Sequence, residues 1–130
     1  MAVVIVVDAG VLIAHFDRTE VHHERATRLL LATGDEPLRM GALTMAEVLV
    51  GPCKTGTEDT VRRAMDQLGL QVVGLSSSQV AALAGLRATT GLPMPDCCSL
   101  LTAETYGAKL ATFDDRLMRI AAVRAVHVLS

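Results

Sequence analysis

The chain opens on an apolar run, Ala2 to Val7, which ends at Asp8. Most of the run is Val and Ile without polar alternation, which is typical of a parallel strand buried on both faces. Parallel neighbours cannot be joined by a tight turn, so each needs a long crossover that is usually a helix. The run therefore favours an α/β layer structure.

Strand-like and helical segments alternate along the rest of the chain. Strands are predicted at Ala2–Val7, Leu38–Leu43, Leu70–Leu75, Lys109–Thr112 and Ala125–Leu129. Helices are predicted at Val11–Phe16, from Thr19 or Glu20 to Leu31, at Thr44–Val50 (stopped by Gly51 and Pro52), at Thr57–Leu68, from a cap at Ser76–Ser78 to Thr89, from near Asp96 to Gly107, and at Asp115–Ala121. The alternation predicts a mostly parallel central sheet of about five strands, flanked by helices and joined by right-handed crossovers.

Length and composition limit the class of protein. A chain of 130 residues is expected to form one domain, 1–130, and its 51% hydrophobic content favours a dense core over disorder. The apolar run before Asp8 has no basic region ahead of it and is too short to span a membrane, so we expect a cytoplasmic protein. The three cysteines follow neither a disulfide nor a zinc spacing, and we expect them to be small buried residues.

The charge of the chain bears on its partners. A formal net charge of −2 predicts no strong non-specific grip on nucleic acid, although a divalent cation in an acidic site would change the local sign. One Tyr and two Phe are too few for a base-stacking platform. Tyr106 and Phe113 are accordingly interpreted as core residues.

Four acids come directly after a predicted strand or in the first turn of a predicted helix. Asp8 and Asp114 follow strands, and Glu47 and Asp96 begin helices beside them. In open α/β sheets, ligands bind in the crevice beyond the carboxyl ends of the strands. We therefore expect the four carboxylates to meet in one crevice.

Each acid also has a structural interpretation. Thr44 to Glu47 fits a capping box, in which the Glu47 side chain bonds back to the backbone N–H of Thr44. Asp8, Asp96, and Asp114 or Asp115 could be helix N-caps. Taken together, however, converging carboxylates repel one another unless a cation holds them. A set of oxygen ligands selects Mg²⁺ or Mn²⁺, which suggests metal-dependent phosphodiester chemistry.

These segments, in this order and over nearly the whole chain, resemble the PIN-domain nucleases, and in particular the single-domain VapC-type toxins of bacterial toxin–antitoxin pairs. The resemblance is carried by Val4–Leu12 with its acid, the H-x-x-A segment His23–Ala26, the helix start Thr44–Val48, the third-acid segment from Gly91–Asp96 through Gly107–Ala108, and the T-x-D of Thr112–Asp114. Relatives often carry a further acid at the position of Arg116, and Asp115 could substitute for it.

The resemblance implies a Rossmann-like sheet, Mg²⁺ or Mn²⁺, an RNA substrate, a cognate VapB-type antitoxin and a toxin homodimer. By analogy, Asp8, Asp96 and Asp114 would hold the metal directly. Glu47 would hold it through water or orient the attacking water, and Thr112 would support an acidic ligand or the phosphate. Arg116 and Arg119 could contact RNA phosphate or form a solvated helix face.

Three hypotheses follow. The first is an endoribonuclease toxin, with the apolar stretches Val11–Phe16 and Leu29–Ala32 forming a groove for an antitoxin helix. The second is a PIN scaffold that binds RNA or protein without cutting, or a housekeeping PIN nuclease without a toxin role. The third is a phosphoacceptor domain, which the sequence disfavours because Lys109 is wrongly placed for that chemistry.

Overall fold

The computed structural model describes residues 3–130 and confirms the predicted α/β architecture. Five strands form one parallel sheet in the spatial order β3–β2–β1–β4–β5. The strands are β1 Ile5–Val7, β2 Leu38–Gly41, β3 Leu70–Val73, β4 Lys109–Ala111 and β5 Val128–Leu129. In the described range, seven α-helices flank them: α1 Ala9–Phe16, α2 His23–Ala32, α3 Ala42–Thr55, α4 Glu58–Gln67, α5 Val80–Thr90, α6 Met94–Tyr106 and α7 Asp115–Val123.

Strand β1 lies in the centre of the sheet and is covered on both faces. Ile5 and Val7 contribute to the core cluster beneath α1 to α4, whereas Val6 contributes to the cluster beneath α5 to α7. Successive side chains of a strand point to opposite faces, so one short run supplies both cores. This explains why the run is apolar at every position.

The order of the strands reverses at β1. The chain proceeds outward through β2 and β3, and then returns to place β4 on the other side of β1. The backbone N–H of Asp8 donates to the carbonyl oxygen of Ala111 at 2.9 Å, which joins the carboxyl ends of β1 and β4. A ligand crevice is expected at such a reversal.

Helices α3 and α6 pack against each other close to this edge. A Cβ atom at Gly41 would lie 2.5 Å from the Cys98 sulfur and 3.1 Å from the Thr102 hydroxyl oxygen, both in α6. Only glycine leaves room for that approach. The close packing brings the first turns of α3 and α6 to the same side of the sheet.

The largest differences from the predicted helix boundaries lie at the end of α3 and at the start of α2. Helix α3 continues through Gly51 and Pro52 to Thr55, and it ends at Gly56, whose φ of 74° is left-handed. Pro52 removes one backbone N–H hydrogen bond but does not end the helix. The helix ends where Gly56 adopts a left-handed conformation. Helix α2 begins at His23 because the Asp17 carboxylate accepts hydrogen bonds from Thr19 and holds that segment in a turn.

Other elements differ from prediction by a few residues. Strand β2 ends at Gly41, β3 ends at Val73, and a capping box from Ser76 to Gln79 opens a short 3₁₀ turn before α5. Strand β5 cannot begin at Ala125, since that residue has a φ of 61°. The predicted start of the first strand, Ala2, lies outside the described residues. None of the helices in residues 3–130 is both long and apolar enough to cross a membrane.

Candidate metal-dependent active site

The carboxylate of Asp8 is the most buried charge at the sheet edge, at 6% exposure. Its Oδ1 accepts a hydrogen bond from the Ser99 hydroxyl at 3.0 Å, and its Oδ2 accepts one from the Thr112 hydroxyl at 2.9 Å. The Thr112 oxygen in turn accepts from the backbone N–H of Asp114 at 3.1 Å. Thr112 thus fixes the position of the loop after β4 relative to the end of β1.

Ser99 and Thr44 form a buried hydroxyl network behind Asp8, and both side chains are 0% exposed. The Thr44 hydroxyl lies 3.2 Å from the Ser99 oxygen and 3.2 Å from the Pro95 carbonyl oxygen. Ser99 gives its one hydrogen to Asp8, so the single hydrogen of Thr44 lies between two acceptors, the Pro95 carbonyl oxygen and the Ser99 oxygen. The network connects the starts of α3 and α6 to the buried carboxylate.

Sequence reasoning missed this role of Ser99. The available signal was its position three residues after Asp96 in the same helix, since residues three apart lie on one helix face. A serine next to a predicted acidic crevice was a candidate donor to a carboxylate.

The capping interpretation holds for one acid and fails for another. Asp114 caps α7 because its Oδ1 accepts from the backbone N–H of Leu117 at 2.7 Å. The capping box at Thr44 and Glu47 is wrong: α3 begins two residues earlier, at Ala42, and Thr44 points to Pro95 and Ser99 instead. The Glu47 side chain is therefore not used as a helix cap.

The four predicted acids are close enough for their charges to affect ionisation within the group. Burial, followed by neighbouring negative charge, raises the pKa of Asp96 to about 6 from its ordinary value of 3.8. The charges that do so belong to Asp8, Asp114 and Glu47. Burial also raises the pKa of Glu47, and the charge of Asp8 adds to that effect. The four carboxylates therefore share one electrostatic environment.

The pKa of Asp8 reflects opposing effects. Burial raises it, the hydrogen bonds from Thr112 and Ser99 lower it, and the charge of Asp114 raises it. Hydrogen bonds that favour the charged form keep a buried carboxylate available as a ligand. The hydroxyls of Ser99 and Thr112 therefore favour the charged form of Asp8, which is the form that can bind a cation.

Arg116 and Asp115 occupy different surroundings at the start of α7. Arg116 donates from Nη2 to the Thr90 carbonyl oxygen at 2.8 Å, and its charge lowers the pKa of Asp96. Asp115 is exposed and is not among the charges that raise the pKa of Asp96. A ligand role for Asp115 stays a prediction.

The donor set fits a hard divalent cation, because carboxylate and hydroxyl oxygens are what Mg²⁺ and Mn²⁺ prefer. In residues 3–130, no three His, Cys, Asp or Glu side chains form a ready-made ligand set. Mg²⁺ typically keeps several waters and takes only one or two carboxylates directly, so such a cluster still suits it. Direct ligation by all of Asp8, Asp96 and Asp114 stays a prediction.

The family profile of the PIN domain matches residues 5–123, and the chain therefore belongs to the PIN-domain family. Its fold is similar to those of VapC-type toxins and toxin–antitoxin complexes in solved structures. A toxin–antitoxin complex from Klebsiella pneumoniae matches at 23% identity with a TM-score of 0.75, covering 96% of this chain and 95% of that one. No curated protein sequence matches the chain significantly.

Two further solved structures have the same fold. VapC20 from Mycobacterium tuberculosis, described as a sarcin-ricin loop cleaving toxin, is 15% identical with a TM-score of 0.74 and covers 89% of this chain and 94% of its own. FitAcB from Neisseria gonorrhoeae is 18% identical with a TM-score of 0.73 and covers 97% and 96%. At these identities the likeness shows the fold.

The crowding of carboxylates predicts a pH dependence of stability in the metal-free protein. The pKa of Asp96 is about 6 in the folded state and near its ordinary 3.8 when unfolded, so between these values the folded state retains a proton that the unfolded state has lost. The free energy of unfolding should therefore fall as pH rises from about 4 to about 7. Urea denaturation in EDTA across this range measures the effect.

Asp96→Asn should flatten the decline, because the amide does not titrate. Asp35→Asn, in the exposed turn before β2 at the opposite sheet edge, is the matched control and should keep the wild-type profile. A wild-type stability that rises with pH through this window, or identical profiles for the two variants, would contradict the crowding of charge.

The hydroxyl network predicts a cost for Ser99→Ala. The change leaves Oδ1 of Asp8 without its donor in a buried position, so we expect the free energy of unfolding at neutral pH to fall by about 1–3 kcal/mol. Ser78→Ala, on the exposed 3₁₀ turn, should change it by less than about 0.5 kcal/mol. Equal effects in urea denaturation would show that the bond to Asp8 does not contribute.

Proposed function

We propose that the protein is a Mg²⁺- or Mn²⁺-dependent endoribonuclease that acts as the toxin of a VapBC-type pair. The observation that carries the proposal is the raised pKa of Asp96, to which Asp8, Asp114 and Glu47 contribute inside a PIN-family fold. Groups of carboxylates that repel one another in this way typically serve to bind a cation.

Within this proposal the acids have separate roles. Asp8, Asp96 and Asp114 hold the metal, and Glu47, which is exposed at the rim, holds it through water or orients the attacking water. When bound, such an ion activates a water and stabilises the leaving oxygen of a phosphodiester. Thr112 favours the charged form of Asp8 and holds the carboxylate in place, and Asp115 remains a further candidate acid beside Asp114.

An RNA substrate requires positive charge near this acidic edge. Arg116 is anchored there by its bond to the Thr90 carbonyl oxygen, and its remaining guanidinium N–H groups can donate to a phosphate. A net charge of −2 implies that such local contacts, together with the bound cation, hold the substrate.

The proposed antitoxin fits an apolar cavity next to Glu47. The cavity has a volume of about 430 Å³ and is lined largely by Ile13, Phe16, Val48, Pro52 and Val61, from α1, α3 and α4. A groove of this kind suits the apolar face of a partner helix. An inhibitor seated there would lie close enough to Glu47 to cover the site.

Only some residues of the two apolar stretches predicted to form this groove are available to a partner. Ile13 and Phe16 line the cavity, whereas Val11, Leu12 and Ala14 belong to the core. In the second stretch Leu30 is buried and Leu31 is 76% exposed. Exposed apolar surface of this kind is also available to the proposed homodimer.

Cleavage of single-stranded and structured RNA by the purified full chain tests the nuclease. We expect cutting in Mg²⁺ or Mn²⁺, none in EDTA, and a loss of at least about 100-fold in Asp8→Asn and Asp96→Asn. Thr112→Val should lose about 10- to 100-fold, because it supports a ligand without binding the metal. Asp35→Asn serves as the control for removing one acid.

Two outcomes would contradict the proposal. Cutting that survives EDTA or both acid substitutions would mean a different site or a contaminating nuclease. No cutting by wild type that has been freed of antitoxin by denaturation and refolding would favour the RNA- or protein-binding module.

A further inference from the structure

Phe113 is the residue between the two site residues Thr112 and Asp114, in the loop after β4. Its ring is half-buried against the core cluster beneath α1 to α4. Because its two neighbours are hydrogen-bonded into the acidic edge, the position of this ring relative to the carboxylates is fixed. Whatever packs on the ring lies next to the site.

Two side chains from the start of α2 pack on Phe113. The guanidinium carbon of Arg25 lies 4.4 Å from the centre of the ring, and the His22 ring lies 5.3 Å from it at an angle of 41°. An arginine over an aromatic face is attracted by the ring quadrupole, and a guanidinium there can stack on the ring. Arg25 thus covers one face of Phe113, and that face is not free to stack a base.

The guanidinium of Arg25 is fixed without a carboxylate partner. The described part of the chain holds two side-chain ion pairs, Arg62 with Glu58 and Arg124 with Glu104, and Arg25 belongs to neither. Stacking uses none of the five N–H donors of a guanidinium. Holding a long side chain in one conformation has an entropic cost of up to about 2 kcal/mol, and here the result is a positioned cation with unused donors.

We propose that Arg25 binds a phosphate of the RNA strand as it crosses the acidic edge, and that Phe113 holds the guanidinium in the orientation this requires. The inference rests on the proposed nuclease function and assigns the substrate contact on the α2 side of the site. A phosphate fits these observations because an oriented guanidinium matches it with two parallel N–H bonds, and because this one adjoins the loop that carries Asp114.

Arg28 offers a matched comparison in the same helix. It lies three residues further along α2, is exposed, and lines a shallow cavity with His23, Glu24 and Thr27. Its removal changes the net charge by the same amount as removal of Arg25. Any difference between the two variants therefore reports position and not total charge.

Binding of a fluorescent single-stranded oligouridine, measured by anisotropy in Mg²⁺ across a range of salt concentrations, tests the proposal. The parent protein is the full chain with Asp96→Asn, which should bind without cutting. Adding Arg25→Gln should weaken binding about tenfold and reduce the slope of log affinity against log salt by about 0.7, the value of one phosphate contact on a single strand. Adding Arg28→Gln should leave the affinity within about twofold of the parent and the salt slope unchanged.

Two more variants separate charge from orientation. Arg25→Lys should keep the salt slope and recover part of the affinity, because an ammonium retains the charge without the planar fork. Phe113→Leu should also keep the slope while weakening binding, and circular dichroism verifies that it folds. If Arg25→Gln and Arg28→Gln have the same RNA affinity and salt slope, the assignment is overturned. That result would favour a contact between Arg25 and a carboxylate of a partner protein. Absence of RNA binding by the parent, together with absence of RNA cutting by wild type, would overturn the proposed function, and the assignment with it.

Discussion

The carboxylate of Asp8 lies at the end of the central strand, where the side chain is only 6% exposed. A charge in this position is costly unless hydrogen bonds satisfy it. Ser99 from α6 and Thr112 from the end of β4 supply these bonds, and Thr44 from α3 supports Ser99. The hydrogen bonds that the buried Asp8 carboxylate needs therefore determine how α3, α6 and the end of β4 pack together.

The same arrangement places the other acids where they oppose one another. Asp114 follows Thr112 by two residues, and Asp96 precedes Ser99 by three, so the elements that satisfy Asp8 also bring further negative charge to it. The raised pKa of Asp96 is the result. The repulsion adds nothing to the stability of the metal-free fold, whereas a bound divalent cation would offset it.

Much of this edge was predictable from the sequence. The apolar run ended by Asp8 indicated a buried parallel strand, and acids at strand ends and helix starts predicted a common crevice. The strand order that sets β4 beside β1 was not predicted. Element boundaries were less predictable, because Pro52 is tolerated inside α3 and a side-chain turn at Asp17 delays α2. The Thr44–Glu47 pattern was misleading, since tertiary hydrogen bonds took the Thr44 hydroxyl away from its local cap.

The contacts that sequence alone could not predict are long-range. Ser99 reaches Asp8 across 91 residues, and Arg25 meets Phe113 only because α2 docks beside the loop after β4. Neither Ser99 nor Arg25 belongs to a local sequence motif from which its contact could be predicted. Such pairs depend on how helices pack against the sheet, which local patterns of residues do not determine.

Thermal unfolding with and without Mg²⁺, at neutral pH and matched ionic strength, tests most directly whether the crowded carboxylates form a cation site. Wild type should gain stability in a saturable way, by about 2.7 kcal/mol when free Mg²⁺ is 100 times its dissociation constant. Asp96→Asn should start more stable in EDTA, because one repelling charge is gone, and should gain little from Mg²⁺. Equal gains in the two proteins, or no gain in wild type, would contradict the cation site.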